Sequence, residues 1–314
     1  MGDRRFPLKH VVESQQFDRE ILDRVFDTAN AMKADVAEGC PVYGKSLARK
    51  IMASLFYEPS TRTRFSFEAA MNRLGGRIIT TENAKEFSSA AKGESLRDSI
   101  LVMNGYADVI VMRHHEAGSA QMASEISRVP VINAGDGPGQ HPTQALLDLF
   151  TIRDTFSDIS GLSIAMVGDL KYGRTVRSLT YLLSKYSDIR IVFVSPQVCR
   201  MDDDIKDYLD RCEIGWREET DLDSVLPHVD CVYMTRIQKE RFNDLNDYEE
   251  ASGKYILRPE SVELIKPEGI IMHPLPRVDE IPQEVDDDPR ARYFEQAHNG
   301  VYVRMALLYL LLKG

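Results

Sequence analysis

Short apolar runs alternate with helix-period patterns along nearly the whole chain, and no other feature restricts its fold so strongly. Ile51 to Phe56 is an apolar run that breaks at Pro59-Ser60, after which Phe65, Phe67, Ala69, Ala70 and Leu74 recur at helical spacing. Run, turn and pattern predict a strand feeding directly into a helix. A helix over 17–37 precedes it (Ile21, Leu22, Val25, Phe26, Ala29, Met32 on one face), and runs at 77–81, 108–112 and 129–133 follow, separated by helical patterns at 94–105 and 117–127. After residue 156 a second series begins: strands at 162–167 and 189–194 around a helix at 175–186, an acidic helix over 202–210, strands at 229–234 and 269–272, and an apolar terminal helix at 301–312. Strands joined through helices form parallel sheets with right-handed crossovers. The expected fold class is therefore α/β, with two doubly wound domains, each a parallel β-sheet flanked by helices. At 314 residues each domain is large enough to bury its own core. The expected boundaries are 1–142 plus 293–314 for the first domain, 143–156 for a linking helix and 157–292 for the second.

Composition narrows the function. With 39 basic against 49 acidic residues the net charge is −10, which argues against general binding to nucleic acid or an anionic membrane surface. Cys40, Cys199, Cys212 and Cys231 stand far apart with no CxxC pair, the pattern of reduced thiols rather than of a disulfide scaffold or zinc site. Met1 to Arg5 leads into no long apolar segment, and the longest apolar run, 305–312, is far short of the ~20 residues of a membrane span. A cytoplasmic protein is the expectation.

Polar residues at the breaks between runs and helices carry the chemistry. In 57–64 Ser60 is a good N-cap, and the backbone N–H groups after it have no intrahelical partner. A helix N-terminus attracts anions, and Thr61, Arg62, Thr63 and Arg64 add hydroxyl and guanidinium donors in the same turn. A phosphate cradle is favoured over an ordinary capped helix with a solvated basic turn. The small, polar stretch 88–95 suits a mobile loop carrying Lys92 toward an anion, although an exposed loop lysine is the commoner occurrence. Arg113 stands at the C-terminal end of a predicted strand, where ligands gather in open parallel sheets. His114 and His115 beside it point to opposite faces of that strand and have no further ligand at metal spacing, so no metal is expected. In 133–144 a strand breaks into a Gly-rich loop and a helix opens near Pro142, with His141 at its mouth and Gln144 one turn inside. That position disfavours an imidazolium, so a neutral His141 donating to a carbonyl oxygen is weighed evenly against a structural histidine.

The second series repeats the arrangement. Residues 168–175 mimic a phosphate-binding P-loop with Arg174 in place of its lysine, but Asp169 would repel a cradled phosphate, and Arg174 suits a bidentate carboxylate better. Arg236 and Gln238 follow a later strand, and His273-Pro274-Leu275-Pro276-Arg277 follows the last, its two prolines fixing a rigid loop with bare carbonyls. Arg62, Arg113, Arg174 and Arg236 together imply substrates rich in negative charge. No Ser-His-Asp set, Cys-His nucleophile or metal cluster is evident, so catalysis would rest on positioning and electrostatic stabilisation, without metal or cofactor.

These motifs carry a resemblance. Ser60 to Arg64 and His141 to Gln144 together resemble the carbamoyltransferase family, and 168–175, 235–241 and 273–280 are similar to its branch with aspartate as acceptor. Ornithine-specific members carry a cysteine at the position of Pro274 and a Ser-Met-Gly loop that this chain lacks. The resemblance runs along nearly the whole chain. It implies transfer of the carbamoyl group of carbamoyl phosphate to the α-amine of L-aspartate, giving N-carbamoyl-L-aspartate and phosphate, an early step of pyrimidine synthesis. The first domain would bind carbamoyl phosphate and the second aspartate, with the active site in the interdomain cleft at the subunit interface. By the same resemblance Ser60, Thr61, Arg62, Thr63 and Arg113 hold the phosphate. Thr63, Arg113 and His141 polarise the carbonyl oxygen, and Gln144 with the carbonyls of Leu275 and Pro276 takes the carbamoyl NH2. Arg174 takes the α-carboxylate of aspartate, and Arg236 with Gln238 its side-chain carboxylate. Ser88 and Lys92 would enter the site of a neighbouring subunit, making the active unit a homotrimer, and Glu58 would bridge to Arg174 and Arg241 when the domains close. Ala91 stands where several bacterial relatives have a second lysine.

Family members differ in assembly. Some pair with a zinc-bearing regulatory chain, some are fused into larger polypeptides and some act alone as trimers. The sequence shows neither a fusion nor a regulatory domain, and it leaves a separate regulatory chain or a nucleotide inhibitor open. The competing readings are a nucleotide-binding P-loop module built on 168–175, a carbamoyltransferase with another acceptor such as ornithine, and a non-catalytic assembly homologue.

Overall fold

The computed structural model describes residues 5–83, 93–237, 242 and 244–313. It divides into two compact units, one of residues up to Leu147 together with those from His298 onward, the other Asp148–Ala297.

The first unit holds helix α1 (Arg19–Ala37), strand β1 (Ile51–Phe56), α2 (Thr61–Arg73), β2 (Arg77–Glu82), α3 (Leu96–Met103), β3 (Val109–His114), α4 (Ser119–Ile126), β4 (Val131–Asp136) and the start of α5 (Pro142–Phe156). Its four strands are all parallel and run in the order β2-β1-β3-β4. Ala53, Leu55, Ile110, Met112 and Val131 of the sheet bury against Ile100, Ala120 and Ala123 of α3 and α4. The face of α1 expected to be apolar is the one buried, and Asp18 caps the helix by accepting the Ile21 N–H at 2.8 Å.

The second unit holds the rest of α5, then β5 (Ser163–Val167), α6 (Arg174–Leu183), β6 (Arg190–Val194), α7 (Asp203–Arg211), β7 (Gly215–Glu219), α8 (Leu222–Val225), β8 (Cys231–Met234), α9 (Leu245–Ala251), α10 (Pro259–Val262), β9 (Ile270–Met272) and the start of α11 (Tyr293–Lys313). All five strands are parallel, in the order β7-β6-β5-β8-β9. Every residue of β5, β8 and β9 is buried, which is why these strands read as unbroken apolar runs.

Both units are parallel sheets flanked by helices, as the alternation of patterns predicts. Two details differ. β7 is not predicted, because Gly215-Trp216-Arg217-Glu218-Glu219 has no apolar run; as an edge strand paired to β6 alone among the described strands it keeps charged side chains, and Lys206 bonds Glu218 at 2.9 Å. The terminal helix starts at Tyr293, eight residues before the apolar stretch that announces it.

In each sheet the chain winds outward on one side and then returns to the other. The order therefore reverses between β1 and β3 in the first unit and between β5 and β8 in the second. At such a switch point the loops leaving the two strands diverge and leave a crevice at their carboxyl ends.

Candidate active site

The switch point of the first unit carries the Ser-Thr-Arg-Thr turn. β1 ends at Phe56, pairs with Arg113 of β3 in the parallel register, and is tied to it by the Tyr57 N–H donating to the Arg113 carbonyl at 2.9 Å. Ser60 occupies the N-cap position of α2 without a side-chain cap bond, so its hydroxyl does not close off the donors of the first turn. Thr61 and Arg62 are exposed and Thr63 is buried. Among the described residues no carboxylate engages Arg62, and desolvation alone draws it below the ordinary arginine value. Arg113 lies with Nε 3.3 Å from Glu58 Oε2 and donates to the Ala134 carbonyl at 3.5 Å.

β4 delivers His141 to the same edge through the Gly-rich loop. Asp136, the last residue of β4 and 6% exposed, accepts the N–H groups of Gly118 (2.9 Å) and Gln140 (2.7 Å) on its two carboxylate oxygens. The Gln140 side chain bonds Ser14 N–H (2.8 Å) and Gln15 (2.7 Å). Gly137, at φ 52°, approaches the His115 carbonyl so closely that a Cβ there would lie 2.2 Å from it. His141 itself is 4% exposed, and its Nδ1 accepts the backbone N–H of Gln144 at 3.3 Å. An accepting Nδ1 assigns the neutral ring its proton on Nε2, making that nitrogen a donor.

The switch point of the second unit carries two further arginines. β5 is followed by Gly168 at φ 109°, where a Cβ would lie 2.4 Å from the Thr235 carbonyl. The Thr235 hydroxyl accepts the Asp169 N–H at 3.1 Å and donates to the Val167 carbonyl at 2.8 Å, clasping the two loops together. Asp169 is fully buried, and its carboxylate accepts the Tyr172 N–H at 2.9 Å. The acid that spoils the P-loop pattern is therefore a scaffold for the turn that presents Arg174 at the start of α6. Arg236 follows Thr235 and, like Arg174, is half-buried.

After β9 the chain turns through His273 to Arg277. His273 is 2% exposed; its Nδ1 accepts the Leu275 N–H and its Nε2 bonds Glu280 Oε1, both at 2.8 Å. Burial lowers the His273 pKa below the ordinary value despite the Glu280 carboxylate. For Glu280 burial acts upward, but bonds from His273 and from backbone N–H groups outweigh it and hold the carboxyl low. The pair stands as a neutral imidazole donating to a carboxylate.

Within the first unit Ser60, Thr61, Arg62, Thr63, Arg113, His141 and Gln144 are thus gathered at one sheet edge, and within the second Arg174, Arg236, Leu275 and Pro276 at another. Ser88, Lys92, Gln238 and Arg241 lie outside the described residues. The sequence does not mark Asp136, His273 or Glu280 as supports. Only the position of His273 directly after a predicted strand hints at one of them.

A family model described as the carbamoyl-P binding domain of aspartate/ornithine carbamoyltransferase matches residues 9–154, and one described as the Asp/Orn binding domain matches 160–311. The chain is 55% identical over 312 residues to the chloroplastic aspartate carbamoyltransferase of Arabidopsis thaliana, covering 99% of this chain and 80% of the relative. It is 51% identical to the aspartate carbamoyltransferase catalytic subunit of Methanocaldococcus jannaschii, with 98% of each chain covered. Among solved structures, the aspartate transcarbamoylase of Trypanosoma cruzi in complex with carbamoyl phosphate and aspartate superposes with a TM-score of 0.91 at 38% identity, with 96% of each chain covered. Matched in both halves and along its full length, the chain belongs to the aspartate/ornithine carbamoyltransferase family, on its aspartate carbamoyltransferase branch.

Proposed function

We propose that this chain is an enzyme that transfers the carbamoyl group of carbamoyl phosphate to the α-amino group of L-aspartate, releasing N-carbamoyl-L-aspartate and phosphate. The observation that carries the reading is the placement of Arg62 and Arg113 at one switch point and Arg174 and Arg236 at the other, in two units whose relatives are aspartate carbamoyltransferases. The solved T. cruzi relative has carbamoyl phosphate and aspartate bound.

Ser60, Thr61, Arg62, Thr63 and Arg113 hold the phosphate at the positive end of α2. Thr63, Arg113 and the Nε2–H of His141 polarise the carbonyl oxygen and stabilise the oxyanion that forms when the aspartate nitrogen attacks the carbonyl carbon. The carbon–oxygen bond to phosphate then breaks, and the leaving phosphate takes the proton of the amine. Gln144 and the carbonyls of Leu275 and Pro276 accept from the carbamoyl NH2. Arg174 takes the α-carboxylate of aspartate, Arg236 and Gln238 its side-chain carboxylate, and Glu58 stabilises the closed state through Arg174 and Arg241. Ser88 and Lys92 act in the site of a neighbouring subunit, so the working unit is a homotrimer. All four described cysteines are thiols, in keeping with a reducing compartment, the cytoplasm; no described helix is long and apolar enough to cross a membrane.

The test is transfer from radiolabelled carbamoyl phosphate with L-aspartate and L-ornithine offered separately to the purified chain. Labelled product with aspartate alone is expected. Product with ornithine would reassign the acceptor, and none with either would leave the assembly-homologue reading.

A further inference from the structure

Leu275 is a non-glycine residue at φ 50°, a conformation that costs a leucine of order 1 kcal/mol and persists only where surroundings impose it. Here the imposition is visible. The Leu275 N–H is held at 2.8 Å by Nδ1 of His273, whose ring is fixed from the other side by Glu280 Oε1 at 2.8 Å. The second oxygen of Glu280 accepts the N–H groups of Val278 and Asp279, each at 3.1 Å, and its backbone carbonyl accepts the Leu257 N–H at 2.9 Å. The backbone N–H of His273 donates to Gln296 Oε1 at 2.9 Å, and Gln296 donates to Asp148, which accepts the Tyr233 hydroxyl at 2.7 Å. His273, Glu280, Gln296 and Asp148 are each at most 8% exposed. A buried ionisable pair whose side-chain bonds, among the described residues, all fall within residues 273–280 is costly to maintain for stability alone.

We propose that His273 and Glu280 are a positioning pair: by fixing the Leu275 N–H they aim the carbonyls of Leu275 and Pro276, and so set the preference for an NH2 group over other substituents on the acyl phosphate. The inference rests on the reaction proposed above. Neither side chain touches substrate. Glu280 accepts the His273 proton at Nε2, which keeps Nδ1 an acceptor; an amide at 280 that turns its NH2 toward the ring would favour the other tautomer and place an N–H against the Leu275 N–H. The carbonyls would then lose their aim while the phosphate cradle of the first unit is untouched.

Acetyl phosphate isolates the effect, because it matches carbamoyl phosphate except for a methyl in place of NH2. For the full chain and its Glu280→Gln variant, the KM for carbamoyl phosphate and the inhibition constants of acetyl phosphate and inorganic phosphate would be measured with aspartate saturating. The expected result is a KM raised about tenfold with both inhibition constants held within about twofold, the loss of one aimed hydrogen bond. Glu280→Asp, which keeps the charge on a shorter arm, should fall between, and it carries the same reading if the glutamine variant does not fold. An equal weakening of all three ligands in the variant that folds, or no change in any, would overturn the positioning role. Absence of transfer by the unsubstituted chain would instead sink the proposed reaction, and this inference with it.

Discussion

Glu58 Oε2 lies 3.3 Å from Nε of Arg113, so one of the cations at the first switch point is held by an acid of the neighbouring loop. An anion arriving there competes with that carboxylate. Glu58→Gln should therefore bind inorganic phosphate about two- to fivefold more tightly, the worth of a partly exposed pair. The same substitution should slow carbamoyl transfer, because the proposed closed state relies on Glu58. Titration calorimetry with phosphate beside a turnover assay checks both directions; weaker phosphate binding would contradict the competition.

Arg62 bears no described ion pair and is exposed on the first turn of α2. Arg62→Ala should lower turnover by about a hundred- to a thousandfold, as expected for a donor at a developing charge, while leaving stability within about 0.5 kcal/mol. Denaturant unfolding beside steady-state kinetics separates the two. If sites are shared between subunits, mixing this variant with Lys92→Ala chains should restore part of the activity, since some sites then draw both residues from intact chains. No recovery after confirmed subunit exchange would count against the shared-site trimer.

Gly168 combines φ 109° with a would-be Cβ contact of 2.4 Å to the Thr235 carbonyl. Gly168→Ala must strain its own backbone and push the β5 and β8 loops apart. A loss of roughly 2–4 kcal/mol in unfolding free energy is expected, together with a raised KM for aspartate and little change for carbamoyl phosphate. Gly253, whose Cβ would meet nothing within 4 Å, is the control for positive φ without the clash.

His10 accepts the Val131 N–H at Nδ1 (3.1 Å), and burial, with Lys9 nearby, pushes its pKa from 6.5 down to about 4. The folded pKa lies below the unfolded one, so the unfolded chain takes up the proton first. The stabilising contribution is complete above pH 6.5 and is lost as pH falls toward 4. His10→Asn, which offers an acceptor but no titration, should flatten the decline in melting temperature between pH 7 and pH 5. An unchanged slope would refute the assignment.

Much of this was legible in the chain because it is written locally. The turn 57–64 announces itself within a dozen residues, since an apolar run, a cap residue and a helical pattern are contiguous there, and His141 is marked by Pro142 beside it. The supports were not legible. The Asp136 carboxylate is read by Gly118, the Asp169 N–H by Thr235, and Gln296 by His273, partners that become neighbours only when segments of distant sequence lie side by side. An acid after a strand looks like a solvated turn until those partners are known. β7 escaped for a different reason: an edge strand needs only one neighbour and tolerates charge, so it carries no apolar period.

Each unit clasps its own loops at the carboxyl edge of its sheet, through Asp136 in one and Thr235 in the other. On the proposed reaction the phosphate that leaves and the amine that attacks are therefore held by separate units of the chain. On that reaction the loops at 168–174 and 235–236 can be rewritten for a new amine while the turn at 60–63 and the loop at 273–276 stay as they are. A lineage built this way can change what it modifies without relearning how to hold an unstable acyl phosphate.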